Sequence, residues 1–587
     1  MCDQLQVNQA CLTVNSAYPQ RLDVYAQTSE CYGCSLQPVP RGHHRSRHNF
    51  SVILGSNYPT ELQLRLHHNE EPLANCTYHK HLGEHGSYLL SVSNEGHCSW
   101  QVAEEPVNIY YPLIAAAAVL LFLALLWKVV SCAKRLGTAF SQPSRSPSDS
   151  QQGILGTAVA VEDGQAVPAA PPKKRLRSLD AFRGLSLVLM VFVNYGGGKY
   201  WFFHHTPWNG LTLADLVFPW FVWIMGVSMA MTIRSLLRKS VTRGRILLRI
   251  VKRTLILFGL GIMTNTLFGA NNLSTLRIPG VLQRLAFSYL VASTIHLLFA
   301  KPHEGHLVWA PLRDVLAYWP EWLLSIPILG LHLALTFCLP LPHCPRGYLG
   351  PGGLHLNSSF TNCTGGAAGY IDRTIFGNEH IYQTPDMRHV YHTHQPYDPE
   401  GTLGCLTSIF LVFLGLQAGK ILLTFSEWKS RVVRWCCWGL ACGVVAGVLC
   451  KFSKEEGWIP VNKNLWSVSF ILSTASTAFF LLAILYYLID VRRWWSGAPL
   501  TYPVAAASIT VWHELPGGVC GARGYARHIP MGMAVPGVSL VLPLHEPVGH
   551  CTVGGLRLAH VPQEAIHLSL KRTLLDAHTA ESAYIQV

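Results

Sequence analysis

The chain has 587 residues, of which 50% are apolar or aromatic and only 13% are charged. Soluble globular domains carry about 25% charged residues, so this composition excludes an ordinary soluble enzyme. The net charge is +13, but the basic residues flank apolar segments, as in membrane proteins, and we predict no nucleic-acid partner.

Residues 1–110 precede the first long apolar segment and are predicted to form a small β-rich domain. The alternating runs ELQLRL (61–66) and SYLLSVS (87–93) are typical of short strands. Six cysteines lie in this part of the chain: Cys2, Cys11, Cys31, Cys34, Cys76 and Cys98. We expect disulfides among most of them, because the orientation derived below places this domain in an oxidising compartment.

Nine segments are candidate membrane-spanning helices, since a bilayer core takes about 20 apolar helical residues. They cover residues 112–130, 183–195, 213–233, 250–267, 281–299, 322–339, 403–423, 432–451 and 465–489. The segment 183–195 has the weakest hydropathy. The fold class is therefore a polytopic α-helical membrane protein with a small N-terminal β-rich luminal domain, and the lipid bilayer is its first partner.

Four further parts follow the domain at 1–110. They are a first transmembrane helix at 111–131, a disordered cytosolic linker at 132–180, a multi-span domain at 181–495 with a luminal loop at 340–402, and a tail at 496–587. The linker is predicted from its Ser, Pro and Gly content.

Two independent patterns predict the same orientation in the membrane. Lys and Arg concentrate on one side, in the cluster KKRLR at 173–177, in 238–253 and at 492–493, which marks that side as cytosolic. The N-glycosylation sequons fall on the other side, which must then be luminal. The predicted glycosylation sites are Asn49, Asn75, Asn357 and Asn362; a further sequon, at Asn272, lies too close to the membrane.

Polar residues inside a membrane segment are costly and therefore suggest function. The region 178–224 is the richest in them. Asp180 and Arg183 share one helix face near its cytosolic end, Asn194 ends the second span, and three glycines at 196–198 break the helix. His204, His205, Trp208, Asn209 and Asp215 follow. This order places an imidazole, which suits proton transfer, at the luminal rim of the membrane.

The stretch LDAFRGLSLVLMVFVNYGGGKYWFFHHTPWNGLTLADLVFPWFVWIMG (179–226) closely resembles the heparan-alpha-glucosaminide N-acetyltransferase family, which are lysosomal transmembrane enzymes. RIPGVLQRLAFSY (277–289), YDPEGTLGCL (397–406) and IPVNKNLWSVSFIL (459–472) fit the same family. The resemblance is strong over about 175–500. It is looser in the N-terminal domain, where ECYGC and LGEHGSYLLSV carry it.

The resemblance implies that acetyl-CoA, a co-substrate supplied from the cytosol, donates acetyl to the amine of a terminal α-glucosamine of heparan sulfate in the lysosomal lumen. It also implies a multi-pass lysosomal membrane protein, and it makes a homodimer plausible. In that family the active-site histidine stands four residues before the Asn of the WNG motif, which is His205 here. The helix-end asparagine before the GGG turn matches Asn194.

These residue types suit the implied chemistry. His205 can take the proton of the attacking amine as a general base, or accept the acetyl group itself as a nucleophile. The amide N–H of Asn194 can stabilise the oxyanion that develops at the thioester carbonyl. Trp208, Asn209 and Asp215 are predicted to contact the sugar, with Trp208 as an aromatic wall.

A thioester donor needs cationic or polar groups within the bundle. Arg277 and Arg284 near the start of the fifth span, and Asn462 and Lys463 before the ninth, are the predicted donor-binding residues. By the predicted orientation they lie toward the lumen, so they suit the acyl end of the donor better than its phosphates. The alternative for each is an interfacial residue whose charged end reaches water.

Three other groups of residues are predicted to be structural. His389, His392 and His394 are close enough in sequence to suggest zinc, but a solvated loop is favoured and no metal is predicted. Cys436, Cys437, Cys442 and Cys450 are predicted to pack, with palmitoylation of the first two as the alternative. His296 and His332 lie inside spans and are also predicted to pack.

The chain departs from the family after WWSGAPL (494–500), where the family continues into two more spans. Residues 517–587 contain no apolar run long enough to cross a bilayer, so we expect an atypical tail that lacks these spans. Two alternatives remain open. One is a transporter, for which a second broken helix would be expected, and the other is a membrane acyltransferase that acts on another sugar.

Overall fold

The computed structural model describes residues 5–17, 22–39, 49–68, 71–140, 176–267, 272–302 and 313–502. These residues divide into two compact units. The first contains the described residues up to 140 together with 199–201 and 354–360, and the second contains the remainder. Most of the predicted linker, at 141–175, and the predicted tail from 503 onward lie outside the described residues, as do Cys2 and the basic cluster KKRLR up to Arg175.

The first unit contains two four-stranded sheets. Its strands are β1 (Gln9–Ser16), β2 (Leu22–Thr28), β3 (Gln37–Pro38), β4 (Asn49–Gly55), β5 (Thr60–His68), β6 (Glu71–Lys80), β7 (Ser87–Val92) and β8 (Cys98–Glu104). One sheet has the order β4-β1-β7-β8 and the other the order β3-β2-β5-β6. The predicted β-rich N-terminal domain is confirmed.

The core of this unit is formed by the apolar side chains that alternate with polar ones along the strands. Leu62 and Leu64 of β5 and Leu90 of β7 are fully buried, and Tyr88 of β7 is almost fully buried. These residues lie two apart because successive side chains of a strand point to opposite faces. Disulfides join Cys31 to Cys34 and Cys76 to Cys98, and Cys11 is also disulfide-bonded. The prediction of disulfides in this domain is confirmed.

Helix α1 (Tyr111–Phe140) also belongs to the first unit. Its segment 111–130 has a mean hydropathy of 2.6, and its most apolar window has no buried residue. A helix that is apolar on all sides suits a membrane span. The helix continues beyond residue 131, where the linker was predicted to begin.

The second unit is helical. Its helices are α2 (Arg177–Asn194), α3 (Leu213–Arg238), α4 (Arg243–Leu267), α5 (Val281–Phe299), α6 (Arg313–Leu316), α7 (Trp319–Cys338), α9 (Gly366–Phe376), α10 (Met387–Tyr391), α11 (Thr402–Thr424), α12 (Trp428–Leu449) and α13 (Val468–Leu485), which continues as a π-helical turn (Tyr486–Val491). The short α8 (His355–Ser358) belongs to the first unit. All nine predicted spans coincide with helices.

Seven helices within the described residues are long and apolar enough to cross a membrane: α1, α3, α5, α7, α11, α12 and α13 with its π-helical turn. The polytopic helical membrane fold is therefore confirmed. The other two predicted spans correspond to α2 and α4. Both carry several charged residues, for example Arg183 in α2 and Arg249 in α4, and fall outside this group.

Helices α3 and α11 pack closely against each other, and glycine permits this contact. A Cβ added at Gly415 would lie 1.9 Å from the carbonyl oxygen of Trp223, and one added at Gly226 would lie 2.1 Å from that of Val412. Small residues at such crossings let helix backbones approach in membranes. This contact fixes α3, whose first turn carries Asp215.

Cysteines of the helical unit only partly follow the sequence-based expectations. Cys344 and Cys363 form a disulfide in the predicted luminal loop, which the sequence analysis did not anticipate. Cys442 and Cys450 are buried, as predicted for packing residues. The packing prediction is wrong for Cys437, which is exposed, because it lies on the outward face of α12.

Candidate active site

The loop between residues 204 and 212 forms one side of the candidate site, and the segment 459–467 supports it. The backbone N–H of Gly210 donates to the carbonyl oxygen of Val461 at 2.8 Å, and Asn209 and Asn462 form a bridge between the two backbones. The side-chain amide of Asn464 donates to the carbonyl oxygen of Pro207 at 3.0 Å. Two segments far apart in sequence are thereby joined.

His205 is held by Asp215. Nδ1 of His205 lies 2.7 Å from Oδ1 of Asp215, whose carboxylate is buried, while the imidazole is 13% exposed. A hydrogen bond from Nδ1–H to a carboxylate fixes the ring orientation and the tautomer and leaves Nε2 to act on a substrate. The neighbouring His204 is exposed. The two adjacent histidines therefore differ in burial, which composition alone does not show.

Asp215 is itself fixed by the start of α3. Its Oδ2 accepts hydrogen bonds from the backbone N–H of Thr212 at 3.1 Å and of Thr206 at 3.3 Å, and the hydroxyls of both threonines lie within 3.2 Å of it. Nζ of Lys463 lies 3.9 Å from Oδ1. Several donors thus compensate the buried charge, as burial of a carboxylate requires. Asp215 contacts His205, and its predicted contact with the sugar stays a prediction.

Asn209 links the loop to a carboxylate and to a second amide. Its Nδ2 donates to Oε2 of Glu455 at 2.6 Å, and its Oδ1 accepts from Nδ2 of Asn462 at 2.9 Å. Asn462 is fully buried, and its Oδ1 accepts from the backbone N–H of Leu465 at 2.8 Å. These bonds use the oxygen and one N–H of each amide, so a substrate contact by the other N–H of Asn209 would not compete with them.

Trp208 is buried, with 2% of its surface exposed. Its indole N–H donates to the carbonyl oxygen of Leu349 at 2.9 Å, and its ring packs edge-to-face against Tyr397 at a centroid distance of 5.7 Å. Trp208 therefore supports the loop and has no open face in this structure. Its contact with a sugar ring stays a prediction.

Asn194 is the last residue of α2, as predicted, and is half-buried. Gly196, Gly197 and Gly198 follow it with φ values of 87°, 53° and 69°, in the left-handed region that glycine tolerates. The rings of Phe192 and Phe203 pack edge-to-face at 5.0 Å. This contact joins the end of α2 to the residues that precede His205.

Arg277, a predicted donor-binding residue, forms ion pairs. Its guanidinium donates to both carboxylate oxygens of Asp398, at 2.8 and 2.7 Å, and to Oε2 of Glu400 at 2.6 Å. Burial alone would raise the pKa of Asp398, but Arg277 holds it below its usual value. The two acids likewise raise the pKa of Arg277. Both acids are buried and the Arg277 side chain is 20% exposed. The alternative of an interfacial residue therefore stays open for Arg277.

Arg284 is only 1% exposed and lies over the ring of Trp466. Its Nη2 donates to the carbonyl oxygens of Pro399 and Gly401 at 2.9 and 3.0 Å. Within the described residues its Nε and Nη1 have no hydrogen-bond partner. A buried guanidinium with unpaired nitrogens is costly and retains capacity to bind a polar group.

Several functional or structural groups were not anticipated from sequence. They are Glu455, Tyr397, Asp372 and the buried pair Glu321 and Lys420. No local signal in the sequence connects these residues with their partners, which lie 30 to 246 positions away. The nearest signal is Thr-x-x-Asp at 212–215, a helix-start pattern that anticipates the fixed position of Asp215.

Among the described residues, no three His, Cys, Asp or Glu side chains converge in a way that could hold a metal ion. This covers His389, His392 and His394, which were weighed as zinc ligands.

The chain was compared with known proteins. It is 41% identical over 546 residues to "Heparan-alpha-glucosaminide N-acetyltransferase" of Homo sapiens, and 39% identical over 541 residues to the protein of the same name of Mus musculus. Each match covers 87% of this chain and 82% of the relative. No protein-family model matches the chain.

Proposed function

Because the chain belongs to the heparan-alpha-glucosaminide N-acetyltransferase family and is therefore an acyltransferase, we propose that it transfers acetyl from acetyl-CoA to the amine of a terminal α-glucosamine of heparan sulfate. The hydrogen bond between His205 and Asp215 carries this proposal. It supports the proposal because it orients the imidazole of His205, the residue that matches the family's active-site histidine by sequence.

The reaction needs an unprotonated amine. The nitrogen lone pair attacks the thioester carbonyl carbon, a C–N bond forms, and the C=O electron pair moves to oxygen. Nε2 of His205 takes the proton that the amine loses, and Asp215 stabilises the imidazolium. The oxygen electron pair then restores the carbonyl, the C–S bond breaks, and the imidazolium returns its proton to the leaving sulfur.

A covalent order uses the same residues. Nε2 would attack the thioester carbonyl first, the C–S bond would break, and CoA would leave as a thiolate. The amine would then displace Nε2 from the acetyl group, and Nε2 would take up the amine proton, which passes to the CoA thiolate. Both orders leave N-acetylglucosamine and free CoA. The orientation of Nε2 by Asp215 suits either order.

Asn194 is proposed to stabilise the oxyanion. A side-chain amide N–H near the carbonyl oxygen strengthens as negative charge develops there, more so away from water. Its support is positional: Asn194 ends α2, and the packing of Phe192 on Phe203 ties that helix end to the loop of His205.

Arg284 and Lys463 are proposed to bind the acyl end of the donor, with Asn462 shaping that region. The unpaired nitrogens of Arg284 support its assignment, and Lys463 stands beside the carboxylate that orients His205. Arg277 is kept as a weaker candidate, because Asp398 and Glu400 already occupy its guanidinium. Acetyl-CoA is the proposed donor on the family resemblance.

We propose a lysosomal membrane location with the N-terminal domain and the loop at 340–402 in the lumen. The basic loops on the opposite side and the sequons at Asn49, Asn75, Asn357 and Asn362 support this orientation. Asn357 and Asn362 are exposed, as acceptors must be. A homodimer is also proposed, with the exposed thiol of Cys338 available for intermolecular contact.

Acetyl transfer in membranes that contain the full chain tests the proposal. Radiolabelled acetyl-CoA is offered with methyl α-glucosaminide as acceptor, to the parent protein, His205→Ala and His204→Ala. We expect transfer by the parent and by His204→Ala, and a loss of at least a hundredfold in His205→Ala at equal protein level, since proton transfer by a positioned base contributes about 10²–10⁴-fold. Equal transfer by all three would remove His205 from the mechanism.

An acyltransferase with another sugar acceptor is the remaining alternative. The same membranes offered methyl galactosaminide distinguish it, because the two sugars differ only in the orientation of one hydroxyl. Preference for the glucosaminide supports the proposed acceptor, and preference for another amino sugar replaces it.

A further inference from the structure

A small cavity lies within the helical unit, away from the side chain of His205. Its wall consists of the second half of α7, the start of α9, the first turn of α11 and residues just before α13. The space amounts to about 380 Å³ including the part open to solvent. It is narrow, so it suits one small group of a larger molecule.

His332 is a buried polar side chain in the wall of this cavity. Its side chain is 4% exposed and lines the space, and within the described residues its Nδ1 has no hydrogen-bond partner. Leaving such a buried nitrogen unpaired costs about 1–3 kcal/mol. Thr336 stands one turn further along α7, where its hydroxyl donates to the carbonyl oxygen of His332 at 2.7 Å and keeps its acceptor capacity.

The start of α9 supplies hydrogen-bond donors to the same cavity. Its N-cap is Gly365, which has no side chain to accept hydrogen bonds, and Ala367 and Ala368 of the first turn line the space. The N–H groups of Gly365 and Gly366 donate to the carbonyl oxygens of Gly350 and Cys363. Those of Ala367 and Ala368 follow in the first turn, where N–H groups lack acceptors within the helix and carry partial positive charge. The remaining wall is largely apolar, with Leu333, Phe337 and Leu403.

The wall therefore offers backbone N–H donors at α9, a nitrogen of His332 that accepts a hydrogen bond in one tautomer, and apolar contacts. A secondary carboxamide matches all three, because its C=O accepts, its N–H donates and its substituent is apolar. A carboxylate has no N–H, and its charge would be buried here without a paired cation. We propose that this cavity binds a secondary carboxamide group.

Two molecules connected with the reaction carry such a group. One is an N-acetylated amino sugar, which carries it as its acetamido group. The other is a CoA thioester, which carries it in its pantetheine arm. The cavity adjoins the supports of the His205 loop: Leu349, which accepts the Trp208 indole N–H, and Ser467, which accepts from the backbone N–H of Asn462, both line it. This choice of sources rests on the proposed function, whereas carboxamide binding does not.

Saturation-transfer NMR on the detergent-solubilised full chain tests the proposal. The probes are N-acetylglucosamine and pantetheine, with glucose as the probe that lacks an amide. We expect at least one amide probe to bind and glucose not to bind. Competition between the two amide probes shows which molecule supplies the carboxamide. Stronger binding of N-acetylglucosamine indicates a product site, and stronger binding of pantetheine indicates a donor site.

Variants connect that binding to the cavity. His332→Leu removes the acceptor, and Ala367→Pro removes one donor at a helix position that tolerates proline. Each substitution is expected to lower the affinity for the amide probe about tenfold, the contribution of one buried hydrogen bond. Leu331→Ala, on the exposed face of the same helix, is the matched control and should bind like the parent. If His332→Leu does not fold, Thr336→Val replaces it.

Two results would overturn the proposal. One is that neither amide probe binds better than glucose, which means that the cavity holds only water. The other is that both cavity variants bind like the parent. His205→Ala separates this proposal from the proposed function, because it is expected to abolish acetyl transfer and to leave carboxamide binding in place.

Discussion

Oδ1 of Asp215 lies 2.7 Å from Nδ1 of His205, the short distance of a charge-assisted hydrogen bond. An Asp215→Asn substitution replaces one oxygen with an amide that donates, so the imidazole either loses its partner or adopts the other tautomer. We expect kcat to fall by about 10²–10⁴-fold, as when the orienting acid of a catalytic triad is changed, with a much smaller change in KM. The measurement is steady-state acetyl transfer.

Asp386→Asn is the matched control, because Asp386 is exposed in the same unit, and its kcat should stay within about twofold of the parent. Since Asp215 also holds the start of α3, the pH dependence of kcat is recorded with thermal unfolding. A purely structural function would lower the amount of active protein without changing the shape of the pH profile. An unchanged profile in active Asp215→Asn would contradict the orienting function.

Most of the fold could be predicted from the sequence, because the relevant signals are local. Apolar runs of the right length predicted nine helices, and alternation in ELQLRL and SYLLSVS predicted strands that the structure confirms. The boundaries differ by a few residues. For α1, α2 and α4 they differ more, because charged residues extend these helices beyond their apolar runs.

The contacts of the candidate site could be predicted only in part. The resemblance indicated His205 and Asn194, but pairing of Asp215 with His205 depends on how the loop folds back on the start of α3. Glu455 and Asn464 come from a segment about 250 positions away in sequence, and no periodicity links it to the loop. Arg277 was predicted to bind the donor because its ion-pair partners, Asp398 and Glu400, are distant in sequence. No local pattern indicates that they pair with it.

The side chains of Asn209 and Asn462 join the two segments of the site. Asn462→Ala leaves the side-chain oxygen of Asn209 and the backbone N–H of Leu465 without the partner that Asn462 supplies. We therefore expect the free energy of unfolding to fall by about 1–3 kcal/mol. Asn209→Ala should cost less, because Asn209 is only half-buried. Thermal unfolding in detergent measures both.

The double variant tests their coupling. If the two amides stabilise the site through each other, its loss should fall short of the sum of the single losses by about 0.5 kcal/mol or more. Asn378→Ala, an exposed asparagine in the same unit, should leave stability unchanged. Strict additivity of the two single effects would mean that their hydrogen bond contributes nothing measurable.

Lys420 and Glu321 form a buried ion pair between α11 and α7, with 2.6 Å between Nζ and Oε2. Nδ1 of His296 lies 3.1 Å from the other carboxylate oxygen. Removal of one partner of a buried pair leaves an uncompensated charge and costs about 3–5 kcal/mol. We therefore expect Lys420→Met to lower the unfolding temperature strongly.

The double variant Lys420→Met with Glu321→Gln should recover part of this loss, because no charge then remains unpaired. Lys429→Met is the control, since Lys429 is exposed on α12 and should change the unfolding temperature little. A Lys420→Met protein as stable as Lys429→Met would show that the pair has no net effect on stability.

Asp372 makes stability depend on pH. Burial, together with the nearby Asp398, raises its pKa from 3.8 to about 6, against the opposing effect of its hydrogen bonds from Thr402 and of Arg284. Between these two values the folded state binds the proton and the unfolded state does not, so protonation stabilises the fold and the gain is lost as pH rises to about 6. The full effect is about 3 kcal/mol. The fold should thus be favoured in an acidic compartment.

Asp372→Asn removes this dependence while keeping an oxygen for the two hydrogen bonds from Thr402, which reach Oδ1 at 2.8 and 2.7 Å. We expect the parent to lose stability between about pH 4 and pH 6 relative to this variant, and the variant to be the more stable of the two at pH 7. Unfolding of both proteins is followed across this range, with Glu379→Gln as the control because Glu379 is exposed. Parallel pH curves for the parent and Asp372→Asn would mean that another group controls the pH dependence.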